Sequence, residues 1–254
     1  MTKAIFISVR TGSSRLPKKA LLEINGNPSI LYLIERLKKS QMTDNIILCT
    51  TTLEEDDLLC EIATSNAVKY YRGSSEDKLQ RWNGACEEYG VEFFVNADGD
   101  DLFFDAGLAD LCFHQQNSSD PDFIDGHGLY NDVYGIKAAA LARVCRTKDS
   151  TDTEFVRPHF LNKALGFRVE KIANVPSKYK KRNIRMTLDY IEDYTFFKTI
   201  IERFASSNWE LDLEKILSFL EENPEVVEIN WGKEKEWEAN QQRRLSKGAT
   251  NEKS

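Results

Sequence analysis

"AIFISVRTGSSRLPKK" (residues 4–19) joins an apolar run to a loop that holds four cations, a glycine and three hydroxyl side chains. The run AIFISV (4–9) is rich in Ile, Val and Phe and reads as a buried strand. In the loop, Gly12 permits a tight backbone path, Ser13 and Ser14 supply hydroxyl and amide donors, and Arg10, Arg15, Lys18 and Lys19 can neutralise a triphosphate. Neither GxxxxGK[ST] nor GxGxxG is present. On residue types alone, phosphate binding and a solvated basic turn both account for the loop.

Outward from this stretch, NIILCT (45–50), AVKYYR (67–72) and EFFVNA (92–97) read as further strands, with amphipathic segments between them. Alternating strands and helices predict an α/β fold, a mostly parallel central sheet with helices on both faces. Ligands of such sheets bind beyond the carboxyl ends of the strands, where residues 10–19 fall. The first helix is expected to be capped by Asn27 with Pro28 at its first position, and the helix of SSEDKLQRW by Ser74 or Ser75, with Glu76 and Asp77 in its first turn and Gly90 as its stop. The stretch from about 118 to 165 reads as a small excursion from the sheet, FRVEKI (167–172) and IRMTL (184–188) as later strands, and residues 1–232 as one domain. The polar segment 233–254 reads as a frayed helix and a disordered tail.

Composition narrows the function. A chain of 254 residues with 41% hydrophobic and 30% charged composition buries one sizeable core, and its formal net charge of −7 argues against general nucleic-acid binding. No run approaches the roughly 20 apolar residues of a membrane span, and no secretory pattern opens the sequence, so a cytoplasmic location is expected. The five cysteines are scattered without metal or disulfide spacing and read as reduced fillers.

Two acidic clusters complement the basic loop. NADGDD (96–101) places Asp98, Asp100 and Asp101 at a strand end, where carboxylates repel one another unless a cation relieves them; an acidic turn facing solvent is the bland alternative. TLDYIED (187–193) places Asp189 at a strand end, with Glu192 and Asp193 as helix N-terminal acids.

The pattern Arg10-x-x-Ser13-x-Arg15-Leu16-Pro17-x-Lys19 resembles the signature of the sugar-acid cytidylyltransferases, nearest to the spore-coat polysaccharide branch. YRGSSEDKLQRW (71–82), IRMTLDYIEDY (184–194) and FLEENPEVVEIN (219–230) extend the resemblance over most of the chain. It implies a nucleotide-diphosphosugar-transferase-like fold, often dimeric, and transfer of CMP from CTP to an acidic sugar with release of pyrophosphate. It also implies Mg²⁺ held by Asp100 and Asp189, with Arg10 and Lys19 on the phosphates. Gly12, Ser13, Arg15, Thr50, Arg72, Gly73, Ser74 and Asp98 complete the expected nucleotide site. Leu102 replaces the family's commoner proline. Tyr130, Asn131, Arg157, His159 and Arg185 are types suited to a polyhydroxylated, anionic acceptor. Other readings are a phosphonate or phosphorylated acceptor, a glycosyltransferase using DGD (98–100) as a DxD motif, and a non-catalytic nucleotide-binding protein.

Overall fold

The computed structural model describes residues 1–180, 182–207 and 210–240. The chain begins with β1 (Lys3–Ser8), the short antiparallel pair β2 (Glu23–Ile24) and β3 (Asn27–Pro28), and α1 (Ser29–Leu37). It continues through β4 (Ile46–Thr51), α2 (Asp57–Ser65), β5 (Lys69–Gly73), α3 (Lys78–Tyr89), β6 (Phe93–Asp98) and α4 (Ala106–Ser119). β7 (Phe123–Gly126), β8 (Val133–Lys137), α5 (Ala138–Thr147), α6 (Val156–Phe160) and β9 (Val169–Lys171) follow, then α7 (Ile191–Ser206), α8 (Leu213–Glu222) and α9 (Pro224–Trp231).

Among the described residues, seven strands form one sheet in the order β5-β4-β1-β6-β8-β7-β9. β1 runs parallel to β4 and β6, and β5 parallel to β4, so the carboxyl ends of four strands share one edge. β8 opposes both of its neighbours, because the short 127–132 connection from β7 allows an antiparallel return but not a crossover. Period-2 alternation divides the core between the two faces. Ile5, Ile7, Leu48, Phe93 and Val95 face α1, α4, α7 and α8, while Phe6, Ile47, Cys49 and Phe94 face α3 and α5. Phe6 stacks on Phe94 at 4.2 Å and Trp82 meets Phe94 edge-on at 5.4 Å; burial of each such ring contributes about 1.5–3 kcal/mol.

Several local expectations are corrected. Asn27 belongs to β3 and α1 starts at Ser29, with Pro28 in the capping position. Asp77 caps α3 through its carboxylate, which accepts from the Gln80 N–H at 3.0 Å, while Ser74 Oγ accepts from the Asp77 N–H one turn earlier. The 118–165 stretch returns β7 and β8 to the main sheet. IRMTL (184–188) forms no strand: the Leu188 N–H donates to the Asp100 carbonyl at 2.9 Å, and Asn230 Nδ2 donates to the Arg185 carbonyl. The segment therefore crosses the strand ends instead of extending the sheet. Residues 233–240 are helical and dock on it, with Lys233 pairing Glu192, Glu234 pairing Arg185, and Asn240 Nδ2 donating to Tyr190. Residues 241–254, the rest of the expected tail, lie outside the described residues. Among the described residues no helix is long and apolar enough to cross a membrane, and all five cysteines are free.

Candidate active site

Residues 9–19 leave β1 at the shared strand edge and are pinned from below by Asp56. This fully buried carboxylate accepts from the Thr11 N–H and hydroxyl at 2.8 and 2.7 Å, and from the Thr50 and Thr51 hydroxyls. Burial would raise its pKa, and the hydrogen bonds from Thr51, Thr11 and Thr50 outweigh it, holding the group below the usual carboxylate range. Lys18 then takes a left-handed conformation, φ 56°, and Lys19 turns inward.

Lys19 Nζ reaches Asp100 Oδ2 at 2.6 Å and Asp189 Oδ1 at 2.9 Å, joining three segments up to 170 residues apart. Arg15 donates to the same Asp189 oxygen at 2.6 Å, and Arg185 reaches its Oδ2 at 3.3 Å. Burial raises the Asp189 pKa, but the charge of Lys19 and the Arg15 contact more than reverse this and keep it strongly depressed. For Lys19, too, burial opposes the charge, and Asp100 with Asp189 overcomes it. Asp189 is 2% exposed, whereas the Asp100 side chain, at 24%, is open to a ligand. Gly99 lets this strand end approach the first loop: a Cβ there would lie 2.6 Å from Val9 Cβ and 3.0 Å from the Ser8 carbonyl. Beside them, burial and then the charges of Asp100 and Asp98 push the Asp101 carboxyl well above its ordinary pKa.

A second set of cations lies toward α3. Arg10 donates to the Ser75 carbonyl at 2.6 Å and pairs with Glu154 at 2.8 Å. Arg81 is 4% exposed and donates to the Ser74 carbonyl, while its Nε, also buried, has no hydrogen-bond partner among the described residues. Lys78 Nζ pairs with Asp98 Oδ1 at 2.6 Å.

A family model described as Cytidylyltransferase matches residues 4–231 of the chain. The chain belongs to this family. SpsF of Bacillus subtilis, a spore coat polysaccharide biosynthesis protein, is 26% identical over 231 residues, covering 87% of this chain and 95% of that protein. A solved cytidylyltransferase of Leptospira borgpetersenii aligns with a TM-score of 0.78 at 25% identity, over 89% of this chain and 97% of its own. A CMP:2-keto-3-deoxy-manno-octonic acid synthetase complexed with CTP shares the fold, with a TM-score of 0.59 at 13% identity over 80% and 99%.

In this cytidylyltransferase the residues singled out from sequence divide into three groups. Arg15, Lys19, Asp100 and Asp189 converge. Arg10, Gly73, Ser74 and Asp98 surround the same edge on the α3 side, with Gly73 tight enough that a Cβ would meet the Tyr71 ring at 2.8 Å and Arg81 Cα at 3.2 Å. Gly12 and Ser13 form the loop's turn, with the Ser13 N–H bonded to the Thr11 carbonyl at 2.8 Å. The third group has its polar atoms committed to holding the scaffold. Thr50 is fully buried with its hydroxyl on Asp56, which removes its side chain from base recognition. Arg72 ties the β4 exit together through the Thr51 and Leu53 carbonyls and Asp57. Arg185, expected at the acceptor, is 1% exposed and clamped by Asp189, Asp193 and Glu234, with the Trp237 ring 5.8 Å away. It supports Asp189 from behind.

Of the remaining acceptor-side residues, Tyr130 donates to the Phe103 carbonyl, and Arg157 pairs with Asp125 at 3.0 Å. His159 is half-buried in α6, two residues after Arg157. Asn131 is 4% exposed and its Oδ1 has no hydrogen-bond partner among the described residues. Sequence reading missed Asp56, Lys78 and the role of Arg185. Lys78 did leave a signal: it is a cation at the start of a helix, where the dipole disfavours one.

Proposed function

We propose that this cytidylyltransferase transfers CMP from CTP to an acidic sugar of the 2-keto-3-deoxy class, releasing pyrophosphate, in cell-surface polysaccharide biosynthesis. The observation that carries the reading is the convergence of Asp100 and Asp189 on the Lys19 ammonium, beside the basic loop at the strand edge. Asp100 presents an open carboxylate, and Asp189 joins it once Lys19 and Arg15 turn from its Oδ1 to the phosphates, a pair that suits a hard divalent cation, which takes one or two protein carboxylates and completes its shell with water and phosphate oxygens. Asp100 and Asp189 would hold Mg²⁺, whose chemistry when bound is to neutralise charge developing on the phosphates.

Lys19 and Arg15 place cations on the triphosphate side of the acids, and Arg10 adds a third when Glu154 yields it to phosphate. An acceptor hydroxyl oxygen forms its bond to the α-phosphorus as the bond to the β-phosphate bridging oxygen breaks. The hydroxyl proton passes to a carboxylate or water, and pyrophosphate carries away the electron pair. On the acceptor side, Asn131 Oδ1, buried and without a hydrogen-bond partner among the described residues, would accept from a sugar hydroxyl that reaches it. The likeness to SpsF, a spore coat polysaccharide biosynthesis protein, and to the CTP-bound CMP:2-keto-3-deoxy-manno-octonic acid synthetase supports the polysaccharide and sugar-acid parts of this reading. The resemblance adds a homodimer, and the sequence pattern supports a place in the cytoplasm.

Pyrophosphate release from CTP, assayed over sugar acids, phosphonates and phosphorylated sugars, tests the reading. Turnover confined to sugar acids is expected. Turnover with a phosphonate alone would replace the acceptor class, and release of a nucleoside diphosphate without pyrophosphate would overturn the reaction.

A further inference from the structure

Lys78 is the first residue of α3, next to its cap Asp77. A helix start carries partial positive charge, so a cation there opposes the local preference and needs tertiary partners to hold it. Its side chain is 9% exposed, its Nζ lies 2.6 Å from Asp98 Oδ1, and the ammonium sits 5.0 Å from the Trp82 ring centre. Trp82 is itself fixed by an indole N–H bond to Ser8 Oγ at 2.7 Å. Lys78 and Trp82, one helical turn apart, thus reach the last residues of β6 and β1. Asp98 needs this partner, because Asp100 and Asp101 follow it on the same strand end and Glu154 also faces Lys78.

We infer that Lys78 is a positioning residue of the nucleotide site, one that cancels the charge of Asp98 and holds its carboxylate on the α3 side of the strand end, leaving Asp100 to face the triphosphate. The inference rests on the CTP reading above. Two ammonium groups from separate elements then flank the acidic strand end, Lys19 on Asp100 and Lys78 on Asp98. Without Lys78, Asp98 becomes an uncompensated anion close to where a polyphosphate must bind, and repulsion in a partly dry site weakens the nucleotide.

The test is CTP affinity by isothermal titration calorimetry on the full chain, without acceptor, with and without Mg²⁺, and at low and high salt. Lys78→Met keeps an unbranched apolar stem against Trp82 and removes only the charge. It should weaken CTP binding by roughly tenfold or more at low salt and by less at high salt, while Lys78→Arg stays within about threefold of wild type. Adding Asp98→Asn to Lys78→Met should restore binding to within about threefold, a rescue that a packing role cannot give. Should Lys78→Met fail to fold, Lys78→Gln carries the test: it keeps a polar amide beside Asp98, removes the charge and should weaken CTP binding with the same dependence on salt. Unchanged affinity in Lys78→Met and Lys78→Gln, or absence of rescue in the double variant, would overturn the inference. Wild-type protein that binds no CTP overturns the functional reading along with it, whereas normal wild-type binding with an indifferent Lys78→Met overturns this inference alone.

Discussion

Asp189→Asn and Asp100→Asn change similar groups at one site and should have very different effects on stability. Asp189 is 2% exposed and receives Arg15 at 2.6 Å, Lys19 at 2.9 Å and Arg185 at 3.3 Å. Two unit charges 4 Å apart attract by about 4 kcal/mol at an effective dielectric near 20, so three such contacts offset the several kcal/mol of burying one carboxylate. An amide leaves Arg15 without its anion and takes one of several from Lys19, which keeps Asp100, and from Arg185, which keeps Asp193 and Glu234; breaking a buried cluster in this way costs about 3–5 kcal/mol. Asp100 is 24% exposed, and Lys19 keeps Asp189 when Asp100 is neutralised, so Asp100→Asn costs at most about 1 kcal/mol. In thermal unfolding at pH 7, Asp189→Asn should lower Tm by roughly 6–12 °C or more and Asp100→Asn by a few degrees at most. Because the Asp189 pKa is depressed on folding, its stabilisation is full above the unfolded carboxylate value near 4 and fades as the pH falls toward the folded-state value. The Tm gap between wild type and Asp189→Asn should therefore persist from pH 7 to about pH 4 and narrow below. Equal Tm losses for the two variants, or a gap that widens on acidification, would refute the assignment of Asp189 as the buried anion of this cluster.

Arg10→Ala removes a cation that is 37% exposed, so Tm should shift by no more than about 2–4 °C while pyrophosphate release falls at least tenfold; normal turnover would return this end of the loop to a solvated turn. Gly99→Ala drives a methyl group onto Val9 and the Ser8 carbonyl, and a loss of about 1–3 kcal/mol in urea unfolding is expected together with weaker CTP binding. Trp237→Ala should lower turnover through Arg185 and Asp189 while leaving secondary structure intact by circular dichroism; unchanged kcat would show that the 233–240 helix does not bear on the acids. Thr50→Val strips one hydroxyl from Asp56 at nearly constant volume and should cost about 1–3 kcal/mol, with discrimination between CTP and UTP unaltered.

The sequence alone determined the strands and the edge they share. AIFISV, NIILCT and EFFVNA are short, β-rich and nearly all apolar, the composition of strands covered on both faces, and this local property survives any tertiary arrangement. The cations of residues 10–19 and the acids of 98–101 follow their strands directly, so their place at the carboxyl edge was legible from one dimension. IRMTL has the same local character as a strand, yet it lies across the strand ends, because the Asp100 carbonyl and α9 supply its hydrogen bonds in place of a ladder. Local pattern reports what a segment can form, and only packing decides which partner completes it. Charge follows the same rule: sequence presented Arg185 and Asp189 as available groups, while the fold buried both in one ion cluster and gave Asp100 the open face. Lys78 was hidden for this reason, since its partner Asp98 stands twenty residues away and only the approach of α3 to the end of β6 brings the two charges together.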